Sequence, residues 1–278
     1  MTSDEHRQQA DRWRVAPGDR LDLTARDPRD AAGAPGDKAA TEPLVDDLVA
    51  ELGGYQQRLW AEGRRSLLVV LQAMDAGGKD GTIRKVFTGV NPQGVSVTSF
   101  KAPSTKELAH DFLWRIHANA PARGEIGIFN RSHYEDVLIV RVNELVPEAV
   151  WRPRFHIIRE FEASLAAAGT QVVKLFLHIS PDEQRERFQA RLDDPTKRWK
   201  FAAADVEVRT RWHDYQRAYE EAIAETSTDE APWYVIPSDR KWFRNWAVLQ
   251  VLLAHLGEMD PQFPAEEPGL DDLTIPDI

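Results

Sequence analysis

A continuous apolar run, SLLVVLQAM (66–74), leads directly into a glycine-rich loop, AMDAGGKDGT, from Ala73 to Thr82. A strand that is apolar at every position has both faces buried, as in a parallel sheet covered by helices on each side. The loop that follows meets the requirements of a phosphate cradle. Gly77, Gly78 and Gly81 free the backbone N–H groups to approach an anion, Lys79 can reach outer phosphates, and the helix that opens at this point favours negative charge at its start. The alternative is a plain strand–turn–helix connection with a solvent lysine. Two positions depart from the common G-x-x-x-x-G-K-[ST] pattern. Ala73 replaces the first glycine, and Asp80 stands where a Ser or Thr usually contacts Mg²⁺. Asp75 adds a further carboxylate inside the loop. Carboxylates on both sides of the lysine repel a phosphate unless a divalent cation lies between them. The loop therefore implies Mg²⁺, with Mn²⁺ as the alternative ion.

The rest of the chain reads as strands alternating with helices, the rhythm of a parallel sheet covered on both faces. After a helix from Glu42 to Trp60, strands are expected at the apolar run, at Gly94 to Phe100, at EIGIFN, at QVVKLFLHI and at Trp233 to Ser238. Helices are expected over Ser104 to Asn119, with Ser104 and Glu107 as a capping box, over 153–168 ending at Gly169, and around Trp242 to Leu256. The expected fold class is α/β: a P-loop kinase fold with a parallel five-stranded sheet flanked by helices. Pro181 to Ala224 breaks the rhythm with two charged helical stretches, which predicts a helical lid over the sheet edge where ligands bind in such folds. The expected organisation is a loosely ordered N-terminal extension over 1–41, a kinase domain over 42–258 with its lid at about 181–224, and a flexible acidic tail over 259–278.

The chain carries a net charge of −10 and no cysteine. Thiolate metal sites and disulfides are excluded, and a cytoplasmic location is expected. The charge argues against nucleic acid or an anionic membrane as partner. No window is long and apolar enough to span a bilayer, and the polar start MTSDEHRQQADRWRV does not read as a secretory signal. A polyanionic substrate then needs cations gathered locally. The lid offers Arg185, Arg187, Arg191, Lys197, Arg198, Lys200, Arg209 and Arg211. About half of these are expected in solvated salt bridges with interspersed acids. Arg131 follows the third strand directly, at the strand end that faces a ligand crevice. Trp199 is expected to pack the lid hinge, and Arg152, Arg154 and Arg159 are candidates to extend a cationic channel.

Several long motifs occur in order: MDAGGKDGT, GVNPQGVSVTSFKAPS, HDFLWRIH, GEIGIFNRSHYEDVL, RFQARLDDPTKRWKF and APWYVIPSDRKWF. Through them the chain resembles the type 2 polyphosphate kinases over roughly Glu42 to Leu256, and NRSHYED looks most like the class that accepts AMP as well as ADP. The resemblance implies reversible transfer of a terminal phosphoryl group from inorganic polyphosphate to ADP and AMP, with ATP as product and guanine nucleotides as further acceptors. It also implies a homo-oligomer, a dimer or tetramer. Asp75 and Lys79 match the family's loop residues for metal and phosphate. Arg131 matches the arginine on the transferring phosphoryl group, and Arg191 the lid arginine. Glu135 is a candidate for metal binding or acceptor orientation, and Asn130 for the metal, because an amide oxygen can hold the ion or one of its waters. Ala76, Gly77, Gly78, Asp80, Gly81, Thr82 and Arg84, with Asn91, Lys101 and Arg115 and with Arg187 and Lys200 of the lid, complete the expected phosphate- and nucleotide-binding set. The competing reading is an ATP-dependent nucleoside monophosphate kinase of the same fold. The long basic lid and the missing Ser/Thr after Lys79 weigh against it. A nucleotide-dependent switch protein would need a base signature such as N-K-x-D, which the sequence lacks.

Overall fold

The computed structural model describes residues 1–201, 203–270 and 273–276, with the side chains of Lys200, Ala203 and Ala204 outside that description. Among the described residues the strands are β1 (Arg14–Val15), β2 (Ser66–Gln72), β3 (Val95–Ser99), β4 (Ile126–Asn130), β5 (Thr170–His178) and β6 (Trp233–Pro237), in the spatial order β1-β6-β5-β2-β4-β3. Every neighbouring pair is parallel except β1 with β6. The apolar run is β2, flanked by β5 and β4 and buried at all seven positions.

The helices are α1 (Ser3–Ala10), α2 (Lys38–Glu62), α3 (Lys79–Val86), α4 (Thr105–Leu108), α5 (Trp114–His117), α6 (Ile139–Val142), α7 (Glu148–Trp151), α8 (Arg154–Ala167), α9 (Pro181–Asp193), α10 (Ala203–Thr210), α11 (Trp212–Thr226) and α12 (Lys241–Met259). Alternation along β2 sends its side chains to two cores. Leu67, Val69 and Leu71 pack with Leu52 and Leu59 of α2, Val86 of α3 and Trp246 and Leu253 of α12. Leu68 and Val70 join Ile158 and Phe161 of α8 with Tyr219 and Ile223 of α11. The sheet is thus covered on both faces, and the loop between β2 and α3 sits at its C-terminal edge.

Three expectations differ from the structure. The sheet has a sixth strand, because the N-terminal segment is built into the fold. Its β1 pairs antiparallel with β6, and Trp13, 3% exposed, meets the rings of Phe243 and Trp246 edge-on. Leu23 is also buried, and its N–H donates to Glu220 of α11 at 2.8 Å. The second difference is that α2 begins upstream of Glu42, because the Asp37 carboxylate accepts from the Ala40 N–H and caps it there. The third is that the helix expected over Ser104 to Asn119 is two short ones. The capping box at Ser104 and Glu107 is present, but Asp111 accepts from the Leu113 N–H and starts a new turn. The described residues of the C-terminal tail beyond α12 hold no α-helix or strand.

Candidate active site

The loop after β2 is shaped by contacts that its sequence departures explain. Gly77 packs against Ala73 so closely that a Cβ on Gly77 would lie 2.4 Å from that of Ala73. With a methyl group at position 73, position 77 has room only for glycine. The Ala73 carbonyl accepts from Lys79 Nζ and from the Tyr219 hydroxyl, each at 3.1 Å. Ala76 and Arg131 adopt φ of +60° and +63°, the left-handed region that costs a residue with a side chain about 1–3 kcal/mol. Gly78 caps α3 at φ +104°.

A cavity of about 680 Å³ opens over this loop. Its floor is Asp75 to Gly81 and Arg84 of α3, one wall carries Ser99, Phe100 and Lys101 from the end of β3, and another carries Asn130 and Arg131 from the end of β4. Arg191 of α9, Lys197 and Trp199 from the segment after it, and Asp205 of α10 complete the lining. The cavity thus lies at the C-terminal ends of β2, β3 and β4, the edge where ligands bind in open α/β sheets.

Charged groups are arranged in pairs across these walls. Arg131 Nη2 donates to Asp75 Oδ1 at 2.9 Å, and the arginine side chain stays 40% exposed. Asn130 Nδ2 donates to Asp80 Oδ1 at 2.8 Å, which leaves the amide oxygen of Asn130 without that partner. Burial and the neighbouring Arg131 hold the Lys79 ammonium below its ordinary pKa, against the pull of Asp75, Glu135 and Asp80. Burial raises the Glu135 carboxyl although Arg131 and Lys79 oppose it. For Arg131, Glu135 and Asp75 outweigh burial and keep the guanidinium firmly charged. Among the described residues no three His, Cys, Asp or Glu side chains converge as a metal cage.

The expected residues divide accordingly. Asp75, Ala76, Gly77, Gly78, Lys79, Asp80, Gly81, Arg84, Lys101, Asn130, Arg131 and Arg191 all border the cavity. Glu135 does not border it, and lies behind Arg131 in the 3₁₀ turn His133–Asp136. The Thr82 hydroxyl is buried and donates to the Gly78 carbonyl, tightening the helix start. Asn91 caps the turn Pro92–Gly94 through the Gln93 N–H. Arg115 is buried and donates to the Lys101 carbonyl at 2.8 Å, so it fixes the strand end that carries Lys101. Arg187 anchors the loop from behind, with Nη1 on the Ala76 carbonyl at 2.9 Å and Nη2 on the Ser238 carbonyl at 2.6 Å. Lys200 lies outside the described side chains.

Trp199, expected to pack the lid hinge, is 78% exposed at the cavity's edge. In the lid, Arg198, Arg209 and Arg211 bond the Leu192 carbonyl, Gln184 and Asn143 respectively. Arg152, Arg154 and Arg159 pair with Glu221, Asp136 and Glu225 and do not border the cavity. Sequence reasoning missed Ser99 and Phe100, which carry no charge, and Arg244, whose side chain reaches Gly78 from α12. One signal for Arg244 was present. It stands among apolar positions, with Ala247, Val248 and Val251 three, four and seven residues on, all of them buried.

Residues 36–264 match the family model described as Polyphosphate kinase 2 (PPK2). The chain is 53% identical over 264 residues to the AMP/ADP-polyphosphate phosphotransferase of Meiothermus ruber, covering 95% of this chain and 99% of that one. It is 45% identical to the ADP-polyphosphate phosphotransferase of Rhodopseudomonas palustris, with 92% and 93% covered. The crystal structure of Polyphosphate Kinase 2 from Arthrobacter aurescens TC1 superposes with a TM-score of 0.91 at 42% identity, covering 95% of this chain and 94% of that one.

Proposed function

This chain belongs to the polyphosphate kinase 2 family, and we propose that it transfers the terminal phosphoryl group of inorganic polyphosphate to ADP and to AMP, reversibly. One observation carries the reading. Lys79, Arg84, Lys101, Arg131, Arg191 and Lys197, six cations, border one cavity with three acids, Asp75, Asp80 and Asp205, in a chain of net charge −10. Such a local excess of positive charge suits a substrate with more phosphates than a single mononucleotide supplies.

Phosphoryl transfer needs aligned oxygens and charge placed over the transferring group, and little covalent chemistry from the protein. Lys79 leaves the Ala73 carbonyl for the phosphate in the cradle, whose negative charge opposes the lowering of the ammonium pKa by burial and Arg131. Arg131 is held at its strained backbone beside Asp75 and reaches over the transferring group. Arg191 and Lys197 bring positive charge from the lid side. Glu135 acts through Arg131 and Lys79, as a buried counter-charge that fixes both cations. Asp75, with the amide oxygen of Asn130 and with Asp80, would hold Mg²⁺ (or Mn²⁺), which when bound neutralises charge on the phosphate oxygens. Guanine nucleotides are further acceptors in this reading. The absence of cysteine suits a reducing compartment such as the cytoplasm.

The test supplies AMP, Mg²⁺ and polyphosphate with no ATP and follows ADP and ATP by chromatography. Both products are expected, and the absence of both overturns the proposal.

A further inference from the structure

Against the cradle, and not among the residues that border the cavity, lies a cluster of cations with too few acids. Arg244, in the first turn of α12, is 3% exposed. Its Nε and Nη2 donate to the Asn245 side-chain oxygen at 3.2 and 2.8 Å. Its Nη1 lies against Gly78, where an added Cβ would come within 2.1 Å of it, and its Nη2 lies 3.6 Å from the corresponding position on Gly81. Among the described residues no carboxylate forms an ion pair with it. The neighbouring charge that acts on it is Arg187, itself paired with Glu183 at 2.7 Å. Burial and Arg187 together bring the Arg244 pKa down to about 9. Lys241, one turn away, is lowered by burial and by the same arginines, with Glu183 opposing.

A guanidinium removed from water with no carboxylate beside it is costly to the ligand-free fold. Here it lies against the loop at Gly78 and Gly81, two residues that also border the cavity. The helix start at this point already favours an anion. We infer that Arg244 is a positioning residue of the phosphate cradle, whose buried charge is balanced only when a phosphate is held on the far side of Gly78. The inference rests on the proposed phosphotransferase reading. It also explains why position 78 must be glycine beyond its positive φ: a side chain there would displace Arg244.

The consequence has opposite signs in the free and the bound protein, which a purely structural arginine would not produce. The experiment compares wild type, Arg244→Met and Arg244→Lys by thermal unfolding without ligand, by calorimetric titration with tripolyphosphate and Mg²⁺, and by kinetics with polyphosphate. Arg244→Met is expected to unfold at the wild-type temperature or above it, while tripolyphosphate binding weakens by about tenfold or more. The KM for polyphosphate should rise by a similar factor with a smaller change in kcat, the pattern for binding shared by ground and transition states. Arg244→Lys should recover most of the affinity. If Arg244→Met does not fold, Arg244→Gln takes its place in each comparison. Wild-type affinity in Arg244→Met, or equal losses in the Met and Lys variants, overturns the inference. Failure of the wild type to bind tripolyphosphate or transfer from polyphosphate would instead overturn the proposed function.

Discussion

Replacing Lys174 by methionine should be among the most damaging single changes outside the active site. Lys174 on β5 and Glu162 on α8 are 0% and 1% exposed and meet at 2.6 Å. Glu162 also accepts from Tyr134 Oη at 2.9 Å and is bonded to His133 Nε2 at 3.1 Å. Lys174 donates in addition to the Thr226 carbonyl at 2.7 Å. The network thus joins the turn after Arg131 to the C-terminal end of α11. Removing one partner of a buried pair leaves the other charge uncompensated, at a cost of about 3–5 kcal/mol. The orphaned Thr226 carbonyl adds to that loss. At about 2 °C per kcal/mol for a chain of this size, the melting temperature should fall by roughly 6–10 °C. The double variant Lys174→Met/Glu162→Leu removes both charges, and Tyr134 Oη keeps Thr226 Oγ1 as a partner at 2.9 Å. It should recover at least half of the loss. Thermal and urea unfolding followed by circular dichroism measure both. A single variant within about 1 kcal/mol of wild type, or a double variant no better than the single, refutes the reasoning.

Arg131→Ala should lower kcat by about 10³–10⁵ and leave the unfolding temperature nearly unchanged, because the side chain is 40% exposed and alanine at φ +63° adds no strain that arginine lacks. Lys79→Ala should be comparably inactive and folded, and near-normal turnover in either refutes its role. His255 is buried against the Tyr234 hydroxyl at 2.8 Å, and burial with Arg7 and Arg14 pushes its pKa down to about 4. Below pH 6.5 the unfolded chain takes up this proton and the folded one does not, so stability should fall by about 3 kcal/mol as pH drops from 6.5 to 4. In His255→Gln the urea midpoint should vary less over that window; an unchanged pH slope refutes the assignment. Trp13→Ala should cost about 3–5 kcal/mol because the ring is packed on Phe243 and Trp246. A cost below about 0.5 kcal/mol would mean that the N-terminal segment is not part of the core.

The parts of the molecule legible in the sequence are those with a strong local pattern. β2 carries five consecutive apolar residues, Leu67 to Leu71, and its loop carries three glycines and a lysine in fixed order, so strand, glycine-rich loop and helix start could be read directly. Arg131 was legible because it follows a buried strand. The N-terminal segment was not, since its contribution rests on a two-residue strand and on isolated residues, Trp13 and Leu23, whose partners lie more than 190 positions away. Arg115 and Arg187 illustrate a different limit. Their charge pointed to phosphate, but their geometry places them one layer back, holding the backbone at Lys101 and Ala76. Nothing local separates an arginine that touches an anion from one that fixes the loop that does.

The central claim is that the cradle takes its phosphoryl group from polyphosphate. Initial rates of AMP phosphorylation by one preparation, with polyphosphate or with ATP as donor at equal phosphoryl concentration, test it most directly. The account predicts ADP formation with polyphosphate that far outpaces formation with ATP, and loss of both rates in Lys79→Ala. Efficient transfer from ATP with none from polyphosphate would contradict it and assign the fold to an ordinary nucleoside monophosphate kinase.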